Sequence, residues 1–519
     1  MKKIKELKKS KELKKVKKIV SKILFIALIS FTNLVLCAYY YMKSFLGDVS
    51  FFQLYYHLKN GGSGSLTNSG SFYVVASAIK DCIPFLLVLI IIEVFLLTRW
   101  KKYRLFLKSK KSDKEYNIFP TVFSKYKIIT TIIVTAISIY LLLNHINYSD
   151  YIDTKNSKTD IYEKYYIDTN KVDISFKGKK RNLIYIYLES MESSLFSKEN
   201  NGLFDESRIP ELEQLAKDNI NFSQNSGLGG MYDIDGYTMS ALVSNTSSTP
   251  ITVGCQNDCE KYGDIVGKAR TIGDVLTSEG YNVEFIQGSD SNFAGLKQYL
   301  TKHSNQKIYD YNTAIKNGDI KKDYFVWWGF EDKKLFNIAK KEITNLAKKK
   351  EPFAVSLITI DTHFPDGYRD DSCKEKFSDN MSNSYLCSSN KVYNFVEWIK
   401  EQDFYNDTMI VITGDHKTMQ SSYYNTTDSG ERSVYNVIIN SKKQNVNSKN
   451  RIVTNYDMYP TVLSGLGADI KGNRIGFGTN LFSKEKTIPE IIGVDTFNKE
   501  KNKSSDYYEK YISKRNEIK

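Results

Sequence analysis

Two strong metal-ligand types stand side by side near the end of residues 409–418, MIVITGDHKT. Met409 to Ile412 have the apolar, branched character of a buried strand, and Gly414, Asp415 and His416 break the run. Neighbouring side chains of a strand point to opposite faces. Asp415 and His416 could therefore share one ion only past the strand's end, in a turn opened by Gly414. The same pattern occurs twice more: Glu189 follows NLIYIYL, and Asp361, Thr362 and His363 follow FAVSLITI. A carboxylate behind an apolar run is costly unless paired or coordinated, so Glu189 is a candidate ligand, with a helix N-cap as the plainer alternative. His363, ahead of Pro365, is either a functional group or a turn residue. Of five histidines only His363 and His416 stand at such ends; His57, His145 and His303 read as structural or solvent-facing.

A hydroxyl nucleophile would complete such a set. Residues 227–250, GLGGMYDIDGYTMSALVSNTSSTP, are rich in hydroxyls and glycines. Tyr237 to Val243 read as the first turns of a helix, which puts Thr238 near a helix N-terminus, where free N–H groups and the dipole favour a phosphate. On local pattern alone Ser240, Ser244, Thr246 and Thr249 compete with it.

Elements must bring these residues together. Apolar runs at 183–188, 283–286, 353–360, 409–412 and 434–439 alternate with segments of helical periodicity at 209–220, 271–279, 331–349 and 391–402. Strands alternating with helices predict an α/β fold whose sheet is mixed but mostly parallel and covered on both faces. In such sheets ligands gather outside the carboxyl ends of the strands, which is where Glu189, His363, Asp415 and His416 fall. The expected catalytic domain is 181–490, with 145–180 a polar linker and 491–519 a charged peripheral tail.

The whole chain has 519 residues and a net charge of +14, unevenly placed. Residues 1–144 hold 24 Lys and Arg against 7 Asp and Glu, so the other 375 residues are net acidic. A nucleic-acid partner would want basic charge on the folded domain, which has none to spare, so none is expected. The positive charge instead flanks three apolar stretches, 19–41, 72–98 and 128–144, the first about one bilayer long at ~20 residues per span. The first is too long for a cleaved signal and lacks a cleavage site; Leu36 before Cys37 also speaks against lipoprotein processing. Residues 1–18 carry ten Lys and 99–127 ten Lys and Arg, whereas 42–71 carry only Lys43 and Lys59. The positive-inside rule then makes 1–18 a basic cytoplasmic tail and puts everything after 145 outside. Cys255, Cys259, Cys373 and Cys387 would lie in that oxidising space, an even number that suggests bridges. A 373–387 pair closes a modest loop; a 255–259 pair is close but possible.

Taken together, NLIYIYLES (182–190), YTMSALVSNTSSTP (237–250), FIQGSDSNFAGLKQYL (285–300), LITIDTHFPDGY (357–368) with the cysteines after it, and VITGDHKTM (411–419) resemble the alkaline-phosphatase and sulfatase superfamily. More narrowly they are similar to membrane-derived-oligosaccharide phosphoglycerol transferases and lipoteichoic acid synthases. The resemblance implies a sulfatase-like domain, and a multi-span membrane anchor, here the three apolar stretches, fits it. It implies Glu189, Asp415 and His416 as ligands of one divalent cation, with Thr238 both fourth ligand and nucleophile. Manganese or magnesium is favoured and zinc possible. His363 and Phe293 match residues of the glycerol pocket, although Gly295 stands where lipoteichoic acid synthases carry a basic residue. The implied activity is transfer of glycerophosphate from phosphatidylglycerol to a glycan hydroxyl, through a glycerophosphoryl-threonine, at the outer face of a bacterial membrane. The alternatives are a phosphoethanolamine transferase, a phosphodiesterase, or an inactive envelope scaffold.

Overall fold

The computed structural model describes residues 2–46, 49–60, 71–95, 105–108, 115–119, 121–251, 265–424, 432–444 and 446–513. Two units emerge: 1–48 with 75–149, and 49–74 with 150–519.

The first unit is built on helices α1 (Lys2–Ser44), α2 (Ser71–Val94) and α3 (Thr121–His145). Each has a segment long and apolar enough to cross a membrane: Leu13–Ser44, Val75–Val94 and Lys127–His145. These overlay the three expected spans, and the helix continues through Pro84. Residues 96–98, the end of the expected second span, lie outside the described residues. So do Cys255 and Cys259, whose pairing was left open above.

In the second unit the sheet strands are β1 (Asn182–Leu188), β2 (Asn282–Gln287), β3 (Lys307–Tyr309), β4 (Phe353–Ile358), β5 (Thr408–Gly414) and β6 (Asn436–Ile439). Their spatial order is β3-β2-β4-β1-β5-β6, all parallel except β6, which runs antiparallel to β5. This is the mixed, mostly parallel sheet expected from the alternating runs. The helices are α4 (Pro210–Asp218), α5 (Thr238–Ser247), α6 (Ile272–Ser278), α7 (Asp332–Ala347), α8 (Asn380–Lys400) and α9 (Met458–Leu466). Strand β1 shows why a parallel strand reads as unbroken apolar sequence. Leu183, Tyr185 and Tyr187 join the core under α5, α6 and α9, while Ile184, Ile186 and Leu188 join the core under α4, α7 and α8.

Three expectations need correction. Residues 145–180 are no linker: Ile161, Tyr162, Tyr166 and Val172 are buried in the core, and Ile174–Phe176 pair antiparallel with Ala468–Ile470. Their apolar content is carried by tyrosine rings whose hydroxyls find partners, Tyr162 on the Lys501 carbonyl at 2.5 Å and Tyr166 on Thr249 Oγ1 at 2.8 Å. Nor is 491–519 peripheral throughout, since Phe497, Tyr508 and Ile512 are buried between its charged residues. Finally, α8 begins eleven residues before the expected 391, at Asn380 behind the N-cap Asp379. Its first half buries Ser382, Ser384, Ser388 and Ser389, polar residues that mask the apolar period. Cys387 lies within that helix, disulfide-bonded to Cys373.

Candidate active site and metal centre

Strands β4, β1 and β5 are neighbours at the middle of the sheet, and their register brings their ends level. Tyr187 pairs with Ile358, and Leu188 with Gly414. The residues that follow are therefore forced together. The Asp415 N–H donates to the Leu188 carbonyl at 3.1 Å, which sets Asp415 beside Glu189. Gly414 matters here for space rather than for a turn. It is the last residue of β5, and a Cβ there would lie 1.9 Å from the Met191 carbonyl oxygen. The expectation that Gly414 opens a turn is thus replaced by a close backbone approach. On the β1 side the chain turns at Ser190, whose φ of +51° is left-handed.

Glu189 is held from both sides. Its N–H donates to Thr359 Oγ1 at 3.0 Å, and Thr362 Oγ1 donates to its carbonyl at 2.5 Å. Ser190 gives a hydroxyl to Glu189 Oε1 at 2.7 Å and its N–H to Asp415 Oδ1 at 2.8 Å. Asp415 Oδ1 also accepts the His416 N–H at 2.7 Å. The imidazole orientation follows from Nδ1, which sits 2.8 Å from the Lys417 carbonyl and so carries the proton. That turns Nε2 toward the cluster, 3.5 Å from Asp415 Oδ2 and 3.6 Å from Glu189 Oε1.

Thr238 is the first residue of α5, and its Oγ1 lies 3.2 Å from His416 Nε2 and 3.4 Å from Glu189 Oε2. The loop before it is fixed by Asp233, whose Oδ1 accepts the N–H groups of Asp235 and Gly236 and whose Oδ2 accepts that of Lys417 at 2.8 Å. One carboxylate thus joins the Thr238 loop to the His416 loop. Burial works against its charge, but Lys417 and His416 nearby outweigh that and hold the carboxyl below its usual range. The competing hydroxyls are engaged elsewhere. Ser240 and Ser244 donate to Asp235, Thr246 to the Leu242 carbonyl, and Thr249 meets Tyr166.

The residues fit a divalent cation. Glu189, Asp415 and His416 are all buried and offer ligand atoms within 4.8 Å of one another. Asp415 Oδ2 is buried with no hydrogen-bond partner, an arrangement that costs free energy unless a cation satisfies it. Burial and the neighbouring Glu189 push the Asp415 carboxyl up to about 7. Burial opposes a charge on His416, yet Asp415 and Glu189 raise it to about 9. The cluster is short of positive charge and draws protons to supply it.

The other two expected residues lie to one side. His363 stacks on Phe364 at 4.8 Å and faces Trp328 at 4.5 Å between ring centroids; burial pushes it down to about 4. Phe293 meets the same Trp328 edge-on at 5.9 Å. Trp328 was missed in the sequence, where the Trp327–Trp328 doublet was the available signal. It is carried by a tight turn in which Val326 and Gly329 exchange backbone hydrogen bonds.

A profile described as Sulfatase matches residues 181–468. The chain belongs to the sulfatase family. The matched stretch contains all three cluster residues, Thr238, Phe293, Trp328 and His363, while the three apolar helices fall outside it. Among curated relatives, phosphoglycerol transferase I of Escherichia coli (strain 536) is 28% identical over 360 residues, 65% of this chain and 45% of the relative. Phosphoglycerol transferase I of Salmonella choleraesuis (strain SC-B67) is 29% identical over 345 residues, 62% and 43%. The chain thus spans less than half the length of the curated relatives it matches. A lipoteichoic acid synthase of Listeria monocytogenes is a structural neighbour at 19% identity and TM-score 0.48, covering 61% of this chain and 80% of that one.

Proposed function

We propose that this protein is a membrane-anchored phosphoglycerol transferase, moving glycerophosphate from phosphatidylglycerol to a hydroxyl of an extracytoplasmic glycan. The observation that supports this most is the Thr238 hydroxyl, set between Glu189 and His416 at the start of α5. A divalent cation held by Glu189, Asp415, His416 and Thr238 would lower the pKa of the hydroxyl, as bound cations do for water. Three oxygens and one nitrogen favour manganese or magnesium, with zinc possible.

Thr238 Oγ1 attacks the phosphorus of the lipid diester; the new P–O bond forms as the bond to diacylglycerol breaks. The proton that the Thr238 hydroxyl loses balances the one diacylglycerol gains, and diacylglycerol stays in the bilayer, where an enzyme with three apolar helices would meet its lipid donor. The glycerophosphoryl-threonine that results sits at the N-terminus of α5, where unpaired first-turn N–H groups favour an anion. An acceptor hydroxyl then takes the phosphorus and frees Thr238, so one difficult displacement becomes two. The neutral His363, Trp328 and Phe293 supply an apolar wall for the small glycerol group.

The test supplies phosphatidylglycerol or phosphatidylethanolamine, each labelled in its headgroup, and measures diacylglycerol release and label on the protein. Phosphatidylglycerol should yield diacylglycerol and a label on the peptide bearing Thr238, and Thr238→Ala should yield neither. Label on Ser240, Ser244 or another hydroxyl sinks the nucleophile assignment; turnover of phosphatidylethanolamine alone sinks the headgroup assignment.

A further inference from the structure

A short helix, Phe51–Asn60, lies in the connection between α1 and α2, and it belongs to the second unit. The sequence offers no sign of a catalytic role there; residues 42–71 read only as a loop between two spans. Yet its Gln53 is buried, 6% exposed, and its amide nitrogen has two acceptors. Nε2 donates to the Gly236 carbonyl at 2.8 Å and to Met419 Sδ at 3.2 Å. Gly236 is two residues before Thr238, and Met419 three residues after His416. One side-chain amide therefore spans the same two loops that Asp233 joins from within.

The neighbours of Gln53 anchor the helix. Phe51 packs on Tyr151 at 4.7 Å, and Phe52 packs beside Tyr237, the residue preceding Thr238, at 6.5 Å. The helix also lies against the Phe293–Gly295 turn. Gly236 has a φ of +75°, a conformation only glycine adopts without strain, so the chain there is set by outside contacts more than by its own preference.

We propose that Gln53 is a positioning residue for the nucleophile: its two N–H groups hold the Thr238 loop against the His416 loop. The connection between the first two membrane helices is thereby a working part of the active site. This rests on Thr238 being the nucleophile, as proposed above.

The test uses the full-length protein with Gln53→Met, which keeps the packing and loses both donors, and Gln53→Lys, which keeps a donor at similar reach. Substrates are phosphatidylglycerol in detergent micelles and the soluble diester bis(4-nitrophenyl) phosphate. Gln53→Met should lower kcat about tenfold on both, the order expected when a hydrogen bond that holds a reacting group is lost, with KM and bound metal unchanged. Gln53→Lys should recover part of the loss. A purely structural role predicts the reverse order, with Met at least as active as Lys, and that order overturns the proposal. So does a loss confined to KM for the lipid, which would make the helix a lipid contact instead. If native protein carries its label away from Thr238, the parent reading fails; if it labels Thr238 and Gln53→Met labels equally fast, only this inference fails.

Discussion

At the level of single residues, Glu189, Asp415 and His416 differ from Thr238 in what their loss should do. All four removals should abolish transfer, because members of a cooperating set are not additive. Metal content separates them. Thr238→Ala keeps three ligands and should still bind manganese when dialysed against it, whereas Glu189→Ala with Asp415→Ala should not; equal metal in both proteins would dissolve the proposed centre. His363 makes a second prediction. Burial depresses it to about 4, so the folded chain refuses a proton that the unfolded chain accepts near 6.5. Its contribution to stability is intact above about 6.5 and is lost as pH falls toward 4. A bound cation nearby would push in the same direction. NMR titration of the imidazole should show no protonation between pH 8 and 5. Most of these residues were legible in the sequence because each stands where an apolar run stops. Trp328 and Gln53 were not, since neither follows a strand and both act through rings or amides that propensity does not mark.

At the level of elements, the His363 loop is held from behind by α8. Lys391 Nζ contacts Asp361 at 2.7 Å and Asp370 at 2.6 Å, and Asp332 accepts the N–H groups of Ile360 and Asp361. Two carboxylates thus share one mostly buried ammonium, and Asp332 lies near enough to feel its charge. Burial pushes Asp361 up to about 6 despite Lys391, while Lys391 and Ser372 hold Asp370 down at about 2. Removing one partner of a buried set leaves charge uncompensated, so Lys391→Met should cost about 3–5 kcal/mol of stability at neutral pH. The sign with pH is fixed. Asp361 keeps its proton longer folded than unfolded, so its stabilisation is present below about 4 and is lost as pH rises through 6. In Lys391→Met that window moves upward, and the defect should shrink on acidification; thermal melts at pH 5 and pH 8 measure it. A defect that grows at pH 5 contradicts the arrangement. Strand positions were the most readable feature, since β1, β4 and β5 are buried on both faces. The start of α8 was hidden by its buried serines, and the segments flanking the domain by tyrosines and lysines. Their apolar faces become visible only once β1 and α9 stand beside them.

At the scale of the whole molecule, charge and hydrophobicity divide the chain in one way. The first 144 residues carry an excess of positive charge beside three helices able to cross a membrane, and the remainder is net acidic. A lipid donor and a diacylglycerol leaving group both require the active site to work at a bilayer surface. The disulfide between Cys373 and Cys387 belongs to an oxidising space, and the basic residues of 1–18 and 99–127 belong to the cytoplasmic face. These two arguments are independent, and from them we propose that the residues after 145 lie outside the cytoplasm. A fusion that would sever the buried segment 150–180 from its domain is a poor test, because that segment is part of the core. The reporter should follow residue 513 in the full-length chain. Alkaline phosphatase, active only when exported, should be active there, and green fluorescent protein, which fails to mature when exported unfolded, should be dark. The opposite pair would reverse the topology and remove the access to outer-leaflet phosphatidylglycerol on which the proposed reaction depends. Blocked cysteine labelling at 373 and 387 in unreduced cells gives a second reading of the same side without any fusion.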